Sequence, residues 1–351
     1  MSAPEPILSI KHLSKDFRLR GGRLFSKPQV LHALSDVSLD VYPGETLGII
    51  GESGCGKSTL GRTLIRLLDA TSGTIGESGC GKSTLGRCVV QLHQATSGQI
   101  VYGGQDINKL AGQELKAVRK DIQMIFQDSY SSLDPRYTAA KTIEEPMLIY
   151  HTETDASKRE QRVLEVMREV GLDVQHLQRY PHEFSGGQRQ RINVARALVL
   201  DPKVIVCDEP VSALDVSIQA QVLNLFRHLQ QERGLTYLFI SHDLGVVRHF
   251  CDTVCVMYLG RIIERGPTAQ VLDRPLHPYS RVLRDSSPVP DPQARIRLAR
   301  IEGEIPAPTH LPPGCAFHPR CARAQEDCKQ RVPALDVAGV RAAACFHPLE
   351  Q

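Results

Sequence analysis

Short apolar runs alternate with longer amphipathic stretches along the first three quarters of the chain. The runs are four or five residues long, rich in β-branched side chains, and lie at 47–50, 122–126, 204–207 and 237–241. Short apolar runs separated by helix-length segments are typical of parallel strands joined by helical crossovers. The pattern therefore predicts an α/β layer fold. No run approaches the roughly 18 apolar residues that a membrane-spanning helix needs.

The pattern changes near residue 275. Nine prolines fall between residues 275 and 313, and such a density disfavours helix and strand interiors. We therefore expect a domain boundary there, with a main domain at residues 1–274 and a small loop-rich extension at residues 275–351.

Composition narrows the classes of protein. With 351 residues, of which 41% are hydrophobic and 23% charged, the chain can bury a sizeable core. Its 42 basic and 39 acidic residues give a net charge of +3, which is not the basic field of a dedicated nucleic-acid binder, so no nucleic-acid partner is expected. Residues 1–10 lack the basic and apolar regions of a secretory signal, and we expect the chain to stay in the cytoplasm.

A 25-residue segment occurs twice in tandem, at 51–75 and 76–100, and its copies agree at 18 positions. Each copy contains GESGCGKS, which fits the P-loop pattern G-x-x-x-x-G-K-[ST]. In such a loop, backbone N–H groups wrap the phosphates, the lysine reaches the β and γ oxygens, and the hydroxyl binds Mg²⁺. Two copies indicate a local duplication and not a solenoid.

The context of the two copies differs. The apolar run at 47–50 precedes the first copy and a helix-like segment at 59–68 follows it, whereas only the turn-rich TSGTI precedes the second. We therefore expect Lys57 and Ser58 to bind the nucleotide, with Lys82 and Ser83 on an inserted loop and helix. The reverse stays open, because the strand-like run that includes 99–102 follows the second copy directly. The expected ATP-binding residues are Gly51, Glu52, Ser53, Gly54, Cys55, Gly56, Lys57, Ser58 and Thr59, and the alternative copy contributes Gly76, Gly79, Gly81, Lys82, Ser83 and Thr84.

Two further motifs carry chemistry. Asp208 and Glu209 follow the apolar run at 204–207, where one carboxylate can contact Mg²⁺ and the next can polarise the attacking water. The sequence FSGGQRQR at 184–191 is a second glycine-rich turn that opens a helix. Two phosphate-binding elements in one chain imply two binding surfaces.

Taken together, these motifs resemble the ATP-binding subunit of an ABC transporter over residues 8 to about 270. The resemblance implies a P-loop ABC-type nucleotide-binding domain with a helical subdomain, in which the signature of one subunit completes the ATP site of another in a head-to-tail dimer. The motifs appear in family order: Q-loop Gln127, signature residues Ser185, Gly186, Gly187 and Gln188, Walker B residues Asp208 and Glu209, D-loop Asp215 and switch His242.

The roles of these residues follow from the resemblance. It implies that Glu209 is the catalytic base, that Gln127 senses the metal and the water, and that His242 orients the γ-phosphate. Mg²⁺ would be held by Ser58, Gln127 and Asp208. Phe17 matches the aromatic residue that stacks on adenine, and its alternative is an ordinary core phenylalanine.

The C-terminal sequence RPLHPYSRVL at 274–283 and the later PPGCAFHPRC resemble the extension of dipeptide and oligopeptide importer ATPases, which nickel and glutathione importers share. The similarity is greatest to the second ATPase subunit of dipeptide importers. It implies a peripheral subunit at the cytoplasmic face of the inner membrane that drives import of short peptides, with two permease subunits, a sister ATPase as heterodimer partner, and a separate peptide-binding protein. There are two alternatives. One is a regulatory or structural subunit whose ATP hydrolysis is impaired by the duplication, and the other is a soluble ABC ATPase that takes no part in transport.

Four of the ten cysteines fall near the C-terminus, spaced C-x5-C-x6-C-x16-C: Cys315, Cys321, Cys328 and Cys345. This spacing is unlike the paired C-x2-C of structural zinc sites. The resemblance implies a [4Fe–4S] cluster, while zinc and unligated thiols remain open. We expect the nearby His318 and His347 to be exposed loop residues.

Overall fold

In the computed structural model, which describes residues 5–19, 29–52, 81–286 and 304–349, strands form two sheets. The strands are β1 (Leu8–Leu19), β2 (Gln29–Val41), β3 (Thr46–Ile50), β4 (Ser97–Tyr102), β5 (Gln105–Asp106), β6 (Ile122–Ile125), β7 (Val204–Asp208), β8 (Thr236–Ser241), β9 (Thr253–Tyr258), β10 (Arg261–Pro267), β11 (Asp336–Ala338) and β12 (Arg341–Ala343).

Helices connect and cover these sheets. They are α1 (Lys82–Val89), α2 (Gly112–Asp121), α3 (Ala139–Tyr150), α4 (Ala156–Glu169), α5 (Gly186–Leu198), α6 (Val216–Arg233), α7 (Leu244–Phe250), α8 (Thr268–Asp273), α9 (Pro278–Asp285) and α10 (Glu326–Gln330). Short 3-10 helices lie at Ile107–Lys109, Val174–His176, Pro181–Glu183 and His318–Arg320. None of the helices in these ranges has the length and apolarity needed to cross a bilayer.

The larger sheet is parallel at its centre, in the order β9-β3-β8-β7-β6, and antiparallel at one edge, where β10, β12 and β11 continue it. The predicted runs at 47–50, 122–126, 204–207 and 237–241 are strands of its parallel part, which confirms the α/β fold. They are mostly apolar because both faces of this part of the sheet are covered.

The smaller, antiparallel sheet has the order β2-β1-β4-β5. Helix α1 lies in the apolar layer between the two sheets. Its residues Leu85, Cys88 and Val89 are fully buried in one cluster with residues of β1 and β7. A Cβ on Gly86 would lie 2.9 Å from the Ile240 Cδ1 atom of β8. Helix α1 is therefore packed tightly on the sheet.

On the opposite face of the larger sheet, α5 packs against β6 and α7 against β3 and β8, while α3, α4 and α6 pack against α5. Their buried apolar residues form a second cluster that includes Ile143 of α3, Val166 of α4 and Phe226 of α6. These helices include the part of the chain in which the helical subdomain is expected.

The C-terminal segment belongs to the same sheet as the main domain. Strand β12 pairs with β10, with Glu264 opposite Ala343, so residues beyond 275 extend the larger sheet. The proline-rich stretch also contains α9, because Pro278 occupies the first helical turn and His277 Nδ1 accepts a hydrogen bond from the Tyr279 N–H. The boundary near 275 stays a prediction.

Candidate active site

The end of β3 meets the start of α1. The buried Lys82 ammonium donates a hydrogen bond to the carbonyl oxygen of Gly51, the first residue after β3. Ser83 Oγ donates to Asp208 Oδ1 at the end of β7, at 2.7 Å. The strand before the first copy is thus joined to the helix of the second copy at one point.

This arrangement corrects one expectation from the sequence. Lys82 and Ser83 do not lie on a peripheral insertion; they form the first turn of a core helix. Ser53 to Thr59, with Lys57 and Ser58, lie outside the described residues, as do Gly76 and Gly79. The geometry matches the alternative that the sequence left open.

Gly81 shows why the turn before α1 needs glycine. Its φ is +87°, and a Cβ there would lie 2.3 Å from the backbone oxygen of Ala33. Any larger residue would combine an unfavourable left-handed backbone with a collision against main-chain atoms.

Two positions at which the copies differ make contacts just beyond α1. Gln91 Nε2 donates to Asn108 Oδ1 at 3.0 Å, and the His93 ring packs edge-on against Phe17, with centroids 5.4 Å apart. The first copy has Arg66 and Leu68 in the equivalent positions. Those side chains cannot reproduce the amide–amide contact.

The two Walker B carboxyl groups are buried. Burial raises the pKa of Asp208, and the hydrogen bond from Ser83 and the charge of Arg87 oppose that rise. Glu209 has a φ of +47°, and its N–H donates to the Ile240 carbonyl oxygen at 3.0 Å. A non-glycine residue held in this region costs about 1–3 kcal/mol, and such strain clusters at functional sites.

The Glu209 carboxylate contacts two polar side chains. Gln127 Nε2 donates to its Oε2 at 2.8 Å, and His242 Nδ1 lies 3.0 Å from the same oxygen. Gln127 lies just beyond the end of β6 and His242 follows β8. The hydrogen bond with Glu209 raises the pKa of His242 despite partial desolvation. The predicted catalytic residues therefore lie together, at the carboxyl ends of parallel strands; their roles remain predictions.

The signature and the D-loop also meet, since a Cβ on Gly186 would lie 3.3 Å from Leu214 Cδ2. Ser185 caps α5, accepting a hydrogen bond from the Gln188 N–H at 3.3 Å, while the Gln188 side chain accepts from the Ser185 N–H at 2.9 Å. A Cβ on Gly187 would lie 2.5 Å from Ile218 Cγ2 in α6. Asp215 is exposed and immediately precedes α6. Gly186, in the first turn of α5, is half-buried.

Phe17 is not a core residue. It is half-buried on β1, packs edge-on against His93 and has the Lys15 ammonium 4.9 Å from its ring centroid. Its role as the adenine-stacking residue stays a prediction.

Two contacts at the P-loop could not be found from the sequence. The Glu52 N–H donates to the hydroxyl of Tyr279 at 2.8 Å, and Arg320 Nη1 donates to Glu52 Oε2 at 3.1 Å. The partners are 227 and 268 residues apart along the chain, and no local pattern connects them.

The four C-terminal cysteines line one cavity with His277, Phe317 and other residues. Desolvation raises the pKa of the Cys345 thiol to about 11, and the neighbouring cysteines add to that rise. His318 and His347 also line the cavity and are half-buried, not exposed, which corrects that expectation. A tighter group of candidate metal ligands in the described part of the chain is Asp327, Cys328 and His347, whose ligand atoms lie within 4.8 Å of one another.

Comparison with known proteins agrees with this geometry. The family model "ABC transporter" matches residues 34–75 and again 73–212, so it restarts at the duplication. The model "Oligopeptide/dipeptide transporter, C-terminal region" matches residues 263–328. The chain belongs to the ABC transporter family, and it is an ATPase of that family.

Relatives resemble the chain along nearly its whole length. The oligopeptide transport ATP-binding protein OppF of Haemophilus influenzae is 43% identical to this chain, and the match covers 98% of each of the two chains. The di/tripeptide transport ATP-binding protein DppF of Pseudomonas aeruginosa is 45% identical with the same coverage. Among solved structures, a dimeric ATP-binding cassette in a post-hydrolysis state with ADP and phosphate has a TM-score of 0.59 at 26% identity, covering 74% of this chain and 98% of that one.

Proposed function

We propose that this chain binds ATP and Mg²⁺ at Gly51, Lys82, Ser83 and Asp208, and that it hydrolyses ATP to drive import of short peptides. The hydrogen bond between Ser83 and Asp208 carries the proposal, because it joins the P-loop hydroxyl to the Walker B carboxylate at 2.7 Å. Hydroxyl and carboxylate oxygens are the ligands that Mg²⁺ prefers. Gln127 would complete the set.

The residues around this pair divide the chemistry between them. On ATP binding, the Lys82 ammonium would exchange the Gly51 carbonyl oxygen for β- and γ-phosphate oxygens, where its charge stabilises the transition state. Bound Mg²⁺ supplies further neutralisation of the phosphate charge. Glu209 would accept the proton of the attacking water.

Glu209 can act as a base only if its carboxylate is held in one orientation. Gln127 and His242 both contact Oε2, which fixes the orientation of the carboxylate. This retained geometry is the reason to prefer an active ATPase over a subunit impaired by its duplication or a soluble ABC ATPase outside transport.

Peptide import is inferred from the relatives. Their names describe peptide transport, and the family model of the C-terminal region is that of oligopeptide and dipeptide transporters. We infer a peripheral subunit at the cytoplasmic face of the inner membrane, bound to two permease subunits and served by a separate peptide-binding protein. The exposed Ser185 at the start of α5 supports a head-to-tail dimer with a sister ATPase, because a helix N-terminus favours phosphate.

The two lysines allow a test with a matched control. The complete transporter, with permeases, sister ATPase and binding protein, is reconstituted in vesicles, and ATP hydrolysis and uptake of a labelled dipeptide are measured. We expect Lys82→Ala to lower kcat about 100-fold or more and Lys57→Ala to change it less than twofold. The opposite order would assign the site to the first copy, and no uptake by the parent transporter would refute the import proposal.

We further propose that Cys315, Cys321, Cys328 and Cys345 hold a [4Fe–4S] cluster. Four thiols that line one cavity supply the donor set that such a cluster takes, and a small loop-rich segment gains stability from a metal centre. Bound iron–sulfur would here act as a structural cross-link.

Anaerobically purified protein is assayed for iron, acid-labile sulfide and zinc. We expect iron and sulfide in equal amounts, both lost in Cys321→Ser and retained in Cys255→Ala, which alters a buried cysteine of β9 outside the cavity. Zinc without sulfide, or no metal, would refute the cluster.

A further inference from the structure

Glu52 is held on both its main chain and its side chain. It follows Gly51, whose carbonyl oxygen accepts the hydrogen bond from Lys82. The Glu52 N–H donates to the Tyr279 hydroxyl at 2.8 Å, and its carboxylate pairs with Arg320 at 3.1 Å. Both partners lie beyond residue 275, so the C-terminal extension contacts the P-loop directly.

The ion pair lies in a sheltered position. The Arg320 side chain is 5% exposed and that of Glu52 is 26% exposed, and such a pair is screened by salt much less than a surface pair. Arg320 Nη1 also donates to the Tyr258 hydroxyl at 3.2 Å. The guanidinium is therefore fixed between β9 and the P-loop.

An aromatic cluster carries these contacts. Phe317 packs edge-on against Tyr258 and Tyr279, with ring centroids 5.3 and 5.4 Å away, and the two tyrosine rings are 4.7 Å apart. Phe317 also precedes the 3-10 helix that ends at Arg320 and lines the cysteine cavity. The position of Arg320 thus depends on the folding of the C-terminal extension.

We propose that Arg320 and Tyr279 are positioning residues of the ATPase reaction: by holding Glu52 they fix the chain that leaves β3 and so set the affinity for ATP. The inference rests on the proposed ATP site at Gly51 and Lys82. Neither residue touches the reacting groups, so their loss weakens ATP binding and leaves the chemical step nearly unchanged.

The test measures Kd for a fluorescent ATP analogue and kcat and KM for ATP in the complete transporter. We expect Arg320→Gln to raise Kd and KM about three- to tenfold, the loss typical of a charged hydrogen bond that is partly shielded, with kcat within twofold. Arg320→Lys, which keeps the charge, should recover most of the affinity. Arg331→Gln, at a side chain that is 68% exposed, is the matched control and should change nothing.

Two further variants separate positioning from general stability. Tyr279→Phe removes only the hydroxyl that accepts from the Glu52 N–H, and we expect about a two- to fivefold rise in Kd; it also carries the test if Arg320→Gln does not fold. The double variant Glu52→Gln/Arg320→Gln should have the Kd of Arg320→Gln alone.

The outcomes distinguish the two proposals. Unchanged Kd in both Arg320→Gln and Tyr279→Phe, or additive effects in the double variant, would overturn the positioning role. If Lys82→Ala still binds the analogue with the parent affinity, the proposed ATP site itself fails, whatever Arg320→Gln does.

Discussion

Glu264 is a buried carboxylate on which the C-terminal extension depends. It is 0% exposed and accepts from Arg341 Nη2 at 2.7 Å, and from the N–H groups of Leu276 and His277 at 2.8 and 2.9 Å. Glu264→Gln removes the negative charge and turns one acceptor into a donor facing other donors. Arg341, only 6% exposed, is left without a counter-charge. An unpaired buried charge costs about 3–5 kcal/mol, which is the loss of stability that we expect.

Thermal unfolding of the purified chain measures this loss. At about 2.1 cal/mol/K of unfolding entropy per residue, a kcal/mol shifts the Tm of a 351-residue chain by roughly 1.4 °C, so Glu264→Gln should lower Tm by about 4–7 °C. The control is Glu326→Gln, which breaks the exposed pair with Lys329, where the carboxylate is 71% exposed, and should lower Tm by no more than about 1.5 °C.

Removing the charges of both Glu264 and Arg341 tests whether the unpaired charge of Arg341 causes the loss of stability. Glu264→Leu/Arg341→Met leaves no orphan charge, and it should be more stable than Glu264→Gln even though two N–H groups lose their acceptor. A Glu264→Gln shift no larger than that of the control would show that the pair is not buried in solution as described, and the reasoning would fail.

Three other substitutions follow from local geometry. Gly187→Ala should lower Tm, with a cost of about 1–3 kcal/mol, because its Cβ meets Ile218 at 2.5 Å; Ile218→Ala in the same chain should recover part of the loss. Gly81→Ala should abolish ATP binding in a filter assay, since its Cβ would lie 2.3 Å from a backbone oxygen. The pKa of His242 is raised by Glu209, so this contact stabilises the fold fully below the ordinary histidine pKa and is lost as pH rises through the raised value. The Tm difference between the parent and His242→Gln should therefore shrink with rising pH; a constant difference would contradict it.

Much of the site could be predicted because its signals are local. An apolar run that ends in Asp208 and Glu209 places both carboxylates at the carboxyl end of a strand. Gln127 and His242 likewise follow runs that are strands β6 and β8. Parallel strands bring their carboxyl ends to one edge of a sheet, so the meeting of these side chains follows from the fold class.

Contacts between distant segments could not be predicted in this way. The pairs Arg320–Glu52 and Arg341–Glu264 join residues 268 and 77 positions apart. In the sequence, each of these residues is one charge among many on a nearly neutral chain. Only the pairing of β12 with β10 and the aromatic cluster around Phe317 decide which charges become buried partners.

The sequence also could not predict which of the two P-loop copies forms the nucleotide site. Their first twelve residues are identical, so the side chains in the first turn of α1 are available from both. A preference can therefore come from the segments that flank each copy or from positions that differ, such as the fully buried Val89, where the first copy has Leu64. An added methylene in a packed core costs about 1–3 kcal/mol, and such a difference is about a 5- to 150-fold preference. A few side chains beyond the motif therefore suffice to favour one of two segments that begin with the same twelve residues.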